Sequence, residues 1–169
     1  MYREKMSVFQ RKSSMTKKKI IIGIVVAAVL FVSIEATLRD RKINDMPDTA
    51  VPAEFVEFQS ELYPDITLTA LEYNGRLYAD YGCETRPLLS WEIGECIAFH
   101  NDSRRFYTLT GTDDYIADIY MGFVVHEAVF YRALDTNGKD IKTPMYIKKS
   151  PIYCGSDNIE VDIWGQADE

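Results

Sequence analysis

Ile66-Thr67-Leu68-Thr69-Ala70-Leu71-Glu72-Tyr73-Asn74-Gly75-Arg76-Leu77-Tyr78-Ala79-Asp80-Tyr81 reads as one β-hairpin, and it sets the expectation for everything around it. Ile66, Leu68 and Ala70 alternate with Thr67, Thr69 and Leu71, the period of two that a strand with two distinct faces requires. Asn74-Gly75 supplies the two residues that best tolerate positive φ in a tight turn. Leu77 to Tyr81 then returns as the partner strand, ended by Gly82.

Further along the chain the same logic repeats. A second hairpin is expected across Asn101-Asp102-Ser103, between Cys96-to-His100 and Arg105-to-Thr110, the latter running into Gly111. A third is expected at Asn137-Gly138, joining Val124-to-Leu134 to a short strand around Ile141. Ile159, Val161 and Ile163 alternate with Glu160 and Asp162 as a closing half-exposed strand. Upstream, Pro52 to Leu62 places a proline at a helical first turn, with Phe55, Val56, Phe58 and Leu62 apolar, and predicts a short helix against the sheet. The fold class expected is α+β or mainly β: a single antiparallel-sheet domain with one or two short helices, after an N-terminal transmembrane helix.

The N-terminal part has a different character. Lys17-Lys18-Lys19 precedes the uncharged run Ile20 to Ile34. Fifteen helical residues span only about 22 Å, against a hydrocarbon core of about 30 Å. Extending the span to Leu38 approaches the needed length, so residues 20–38 read as a transmembrane anchor or as the core of a signal peptide cleaved after Ala36. Both outcomes stay open, as does a start at Met15 instead of Met1. Arg3, Lys5, Arg11, Lys12 and Lys17 to Lys19 precede the span, opposed by Glu4 alone, which predicts an inside N-terminus and an outside C-terminal domain. The expected organisation is a basic cytoplasmic tail (1–19), the span (20–38), a polar linker with Pro47 (39–51) and an extracytoplasmic β-rich domain (52–169).

The basic leader, the apolar span, Tyr73-Asn74-Gly75-Arg76-Leu77-Tyr78 and Ile93-Gly94-Glu95-Cys96-Ile97-Ala98 together resemble small exported or membrane-anchored proteins of Gram-positive bacteria. The resemblance covers about Ile66 to Tyr131 and implies a bacterial origin and a surface location. It assigns no residue a role.

From Thr37 onward there are 24 acidic and 12 basic residues, a net charge of −12. Such a surface repels nucleic acid and anionic lipid headgroups, both of which demand a positive footprint. Three cysteines, Cys83, Cys96 and Cys154, lie in the exported part, where disulfides are permitted. Cys83 and Cys96 are the candidate pair, since a loop that short closes cheaply; Cys154 pairing with either, or three unpaired thiols, remain alternatives.

Catalytic signatures are thin. His126-Glu127 lacks the second histidine of a zinc protease helix. Cys96 and His100 share a strand face but stand four residues, about 13 Å, apart, too far for proton transfer. No P-loop, nucleophile elbow or dinucleotide turn occurs. Asp113, Asp114 and Asp118 could offer calcium hard oxygen ligands from one loop, the single cofactor the sequence suggests. Asp135 to Asp140 lacks the spacing of a calcium loop and reads as a turn.

Ten tyrosines lie beyond Thr37, more than one small core is expected to absorb. Tyrosine suits protein or glycan surfaces, so Tyr73, Tyr78 and Tyr81 are the candidate binding residues. The expected function is a membrane-tethered, non-catalytic extracytoplasmic binding module for a cell-envelope protein or glycan. The alternatives are a metal- or stress-sensing surface protein and a small cell-envelope hydrolase using scattered carboxylates.

Overall fold

The computed structural model describes residues 2–122, 126–154 and 159–165, with side chains described for 18–122, 127–152 and 159–165. The chain divides into two units, Met1–Leu38 and Arg39–Glu169. Helix α1 covers Tyr2–Asn44, and its stretch Lys18–Asn44 is long and apolar enough to cross a membrane.

Within the first unit, α1 keeps its large apolar side chains outward: Ile24 is 64% exposed and Val32 65%. From Ile20 to Ile34 no side chain is charged, so this stretch has no charged face of the kind a soluble helix turns to water. The two hydroxyls in the apolar stretch are satisfied inside the helix, Ser33 Oγ donating to the Val29 carbonyl and Thr37 Oγ1 to the Ser33 carbonyl, each at 2.9 Å. An unmet hydroxyl in hydrocarbon would cost several kcal/mol, roughly.

The second unit begins with the end of α1. Strands follow as β1 (Val51–Pro52), β2 (Glu54–Ser60), β3 (Tyr63–Tyr73), β4 (Arg76–Glu84), β5 (Ile93–Asn101), β6 (Arg104–Leu109), β7 (Thr112–Met121) and β8 (His126–Ala133). After a 3-10 turn at Leu134–Thr136 come β9 (Ile147–Lys149), β10 (Ile152–Cys154) and β11 (Ile159–Val161). The main sheet runs β1-β5-β6-β7-β8-β4-β3-β2 with β9 beside β4, and β10 and β11 form a separate ribbon. Among the described residues, all pairings are antiparallel except β1 with β5.

One residue, Ala53, separates β1 from β2. A single stretch of chain therefore borders β5 at one end and β3 at the other, and the sheet curls until residues 51–60 bridge its two edges. Ala53 N–H extends the closure by donating to the Phe99 carbonyl at 2.7 Å. This short seam covers part of the open edge of β5 around Ala98 and Phe99.

Alternation splits the core into two clusters. Leu71, Tyr78, Ile97, Phe106, Ile116 and Tyr131 form the smaller one. Their sequence neighbours Tyr107, Tyr115, Ala117 and Phe130 join the larger. Ile43, Leu88, Tyr146, Val161, Ile163 and Trp164, from segments outside the curled sheet, all pack on the larger cluster. The smaller is closed by the curl itself, with Ala53 packed against it and Phe55 set edge-on to Phe106 at 5.8 Å.

The expected mainly β class is the architecture observed, and the first two hairpins form as read. Tyr73 pairs with Arg76 around Asn74 (φ 50°) and Gly75 (φ 72°), and Asn101 pairs with Arg104 around Asp102-Ser103. Three expectations need correction. Pro52 to Leu62 is not a helix: β2 pairs Val56 with Ala70 and Phe58 with Leu68, because β3 offers a complete ladder nearby and Pro52 sits at a border where its missing N–H costs little. Asn137-Gly138 closes no hairpin: Asn137 N–H returns to the Leu134 carbonyl and Lys139 N–H to the Thr136 carbonyl, each at 3.0 Å, and the next strand is β9. The segment expected as a linker contributes Arg39–Asn44 to α1 and buries Ile43 completely.

Candidate functional site

The residues singled out from sequence disperse. Tyr78 and Tyr81 are buried, at 3% and 7% exposure, one in each core cluster, and Tyr73 is half-buried. An exposed aromatic face at the first hairpin is therefore not formed. Both hydroxyls find partners inside the fold: Tyr78 Oη donates to the Asp113 carbonyl at 2.9 Å, and Tyr81 Oη lies 3.5 Å from Thr143 Oγ1. With its hydroxyl satisfied, a tyrosine ring can serve as core.

Asp113, Asp114 and Asp118 lie along β7 and not in a loop. Arg76 reaches Asp113 (3.6 Å), Asp114 (3.1 Å) and Asp135 (2.7 Å) together. Asp118 is buried and ion-paired with Arg104. Among the described residues, no group of three His, Cys, Asp or Glu side chains could hold a metal ion.

The candidate disulfide is also absent. Cys83, exposed on β4, and Cys96, buried on β5, are both free thiols. Sequence proximity misled because β6, β7 and β8 stand between those two strands in the sheet. Burial pushes the Cys96 thiol above its usual range. The side chains of Cys154 and His126 fall outside the described residues; His100 is exposed, with its ring edge-on to Phe55 at 5.7 Å.

Two polar groupings emerge instead. The first surrounds the smaller cluster, where Asp80, Arg104, Asp118 and Tyr131 meet. Burial, and then the neighbouring Asp118, push the Asp80 carboxyl up to about 6. Burial also raises Asp118 and outweighs the Arg104 guanidinium that pulls it down. Tyr131 is pushed up to about 12, first by burial and then by the two carboxylates. One guanidinium thus faces two acids, and one acid meets the imbalance by holding its proton to higher pH.

The second grouping lines a recess of about 530 Å³ on the larger-cluster side, with Tyr81, Arg132, Lys139, Asp140, Thr143 and Trp164 among its walls. Thr143 Oγ1 links Tyr115 Oη (2.9 Å) to Tyr81 Oη. Trp164 is fixed by donating from Nε1 to the Asp80 carbonyl at 2.8 Å. Arg132 comes from β8 and is only 8% exposed. Its guanidinium carbon lies 5.4 Å from the Tyr81 ring centre and 5.0 Å from that of Trp164. Nε donates to Thr136 Oγ1 and Nη2 to the carbonyls of Thr136 and Lys139, at 2.8, 2.8 and 3.3 Å.

The sequence carried a sign of this site. Arg132 interrupts the apolar strand Ala128-Val129-Phe130-Tyr131-Arg132-Ala133, and a charge there is either an exposed face or a buried site. No family model, no curated protein and no solved structure matches the chain.

Proposed function

We propose that this protein is a membrane-tethered binding module, held by residues 20–38 with its N-terminus inside and its β domain outside the cytoplasm. The observation that carries the reading is the pairing of an outward-apolar helix with a separate β unit containing a recess of cationic and aromatic side chains. The seven basic residues before the span support the orientation. The binding surface is that recess, in place of the first-hairpin tyrosines.

Cys83 tests the topology, being an exposed free thiol in the β unit. In a Cys154→Ser background, a membrane-impermeant maleimide should label intact bacterial cells, and Cys83→Ser should remove the label. Labelling that appears only after lysis would overturn the outside placement.

A further inference from the structure

We propose that the recess beside Arg132 is a binding site for a small oxyanion-bearing molecule, with a carboxylate or phosphate received by Arg132 Nη1 and the Lys139 ammonium.

The first argument is charge. Arg76, Arg86 and Arg104 each meet a carboxylate. Arg132 is more deeply buried than any of them, yet no carboxylate stands at ion-pair distance from it among the described residues. This happens in a domain with twice as many acids as bases, where an internal counter-ion is easy to supply. A buried cation with no counter-ion among the residues around it is costly and is rarely kept without use. The two aromatic rings and three neutral acceptors around Arg132 offset part of that cost, but they bring no countercharge.

The second argument is geometry. Nε and Nη2 are committed to the turn that follows β8, so the plane of the guanidinium is set. Nη1 donates to no described residue. The fixed group borders a recess of about 530 Å³, within the usual size for a small-molecule site, roughly 300–1,000 Å³. A preset donor loses little freedom on binding, which favours affinity.

The third argument is the surrounding charge. Among the described lining residues, Lys139 and Lys149 accompany Arg132, and Asp140 is the one acid. Lys149 is already engaged by Asp162 at 2.7 Å and by the Gly165 carbonyl. Lys139 is exposed at the rim, and its own carbonyl accepts from Arg132, so the rim ammonium and the buried guanidinium belong to one short segment. Within a domain of net charge −12, this is a local positive recess, and a small anion is the ligand whose charge it complements.

The proposal rests on the binding-module reading but not on topology: a failed titration removes the anion, whereas the maleimide experiment judges membrane placement. The test uses the full chain in an uncharged detergent, titrated separately with sodium phosphate and sodium acetate against sodium chloride of equal ionic strength. The Trp164 indole N–H and the Gly138 amide should shift saturably with one of the two anions, and which one distinguishes phosphate from carboxylate. Lys139→Gln, at an exposed position, should weaken binding about threefold, Asp140→Asn should tighten it about twofold, and Arg132→Gln should weaken it at least tenfold. Shifts that are linear and the same in chloride, or a Kd unchanged in Lys139→Gln and Asp140→Asn, would overturn the proposal even if Arg132→Gln fails to fold.

Discussion

Tyr107 Oη donates a 2.6 Å hydrogen bond to the carbonyl of Ile43, joining the middle of the sheet to the last turn of α1. The last carbonyls of any helix lack partners within it; here Arg105 Nη1 reaches the same oxygen at 2.7 Å. Ile43 is wholly buried, so its carbonyl cannot turn to water instead. Tyr107→Phe should therefore lower stability by about 1–2 kcal/mol, while Arg105 retains part of the cap. Equilibrium urea unfolding checks this, and Tyr107→Phe together with Arg105→Ala should cost more than either change alone. A double variant no worse than the singles would show that the cap contributes nothing.

Asp80 makes stability depend on pH in a stated direction. Its carboxyl is raised from 3.8 to about 6 in the folded protein. The folded state therefore holds the proton more tightly than the unfolded chain, and stability falls as pH rises from about 4 through 6. The full difference is about 3 kcal/mol as an upper value, shared in part with Asp118. Burial also raises Glu84 and Asp118, which act in the same sense. In Asp80→Asn the slope of unfolding free energy between pH 4 and 7 should flatten, and the variant should match or exceed the parent at pH 7. Identical slopes in the two proteins would sink the assignment.

Gly82 lets β9 lie against β4. A Cβ at this position would stand 2.0 Å from the Lys148 carbonyl oxygen and 2.8 Å from its carbon, both backbone atoms. Gly82→Ala must displace the strand, and a loss of at least about 2 kcal/mol is expected. Hydrogen exchange locates the damage: the Ser150 amide, which donates to the Tyr81 carbonyl at 3.0 Å, should lose protection first. Gly138→Ala, where φ is 71° and no atom lies within 4 Å, should cost only about 1 kcal/mol. Equal costs at the two glycines would contradict the steric account.

Arg76 holds Asp135 through two donors and Asp114 through a third. Its guanidinium also lies 5.5 Å from the Tyr78 ring centre. Arg76→Gln should destabilise by about 1 kcal/mol at low salt, an effect that shrinks in molar sodium chloride. A salt-independent loss would assign the role to packing on Tyr78.

What could be read in advance was what short-range chemistry controls. Asn74-Gly75 and Asp102-Ser103 dictate their own turns, so the strands on either side follow. β2 is not legible in its own residues, because Pro52 and the spacing of Phe55, Val56 and Phe58 fit a helical turn as well as a ladder, and the deciding partner lies in β3. Cys83 and Cys96 are close in sequence, but strand order separates them, and nothing within the intervening residues reveals that order. The tyrosines looked like surplus surface because the acceptors that allow Tyr78 and Tyr81 to be buried, the Asp113 carbonyl and Thr143, are remote in sequence. Arg132 was visible as an anomaly in its strand, yet its recess needs Thr143 and Trp164 from later in the chain.

The bridge at residues 51–60 also imposes an order of events. Val51 pairs with Ala98 and Pro52 with Phe99, partners almost fifty residues further along. A chain made from its N-terminus produces β1 and β2 early, and β3 can pair with β2 soon afterwards. The seam with β5 must wait until the second hairpin has emerged, because distant contacts carry the larger loop-closure cost. During that interval the first segment of the domain is held on one side only; the ladder of β4 with β8, which pairs Tyr78 with Ala133, waits longer still, so the curl is complete only once β8 has been made.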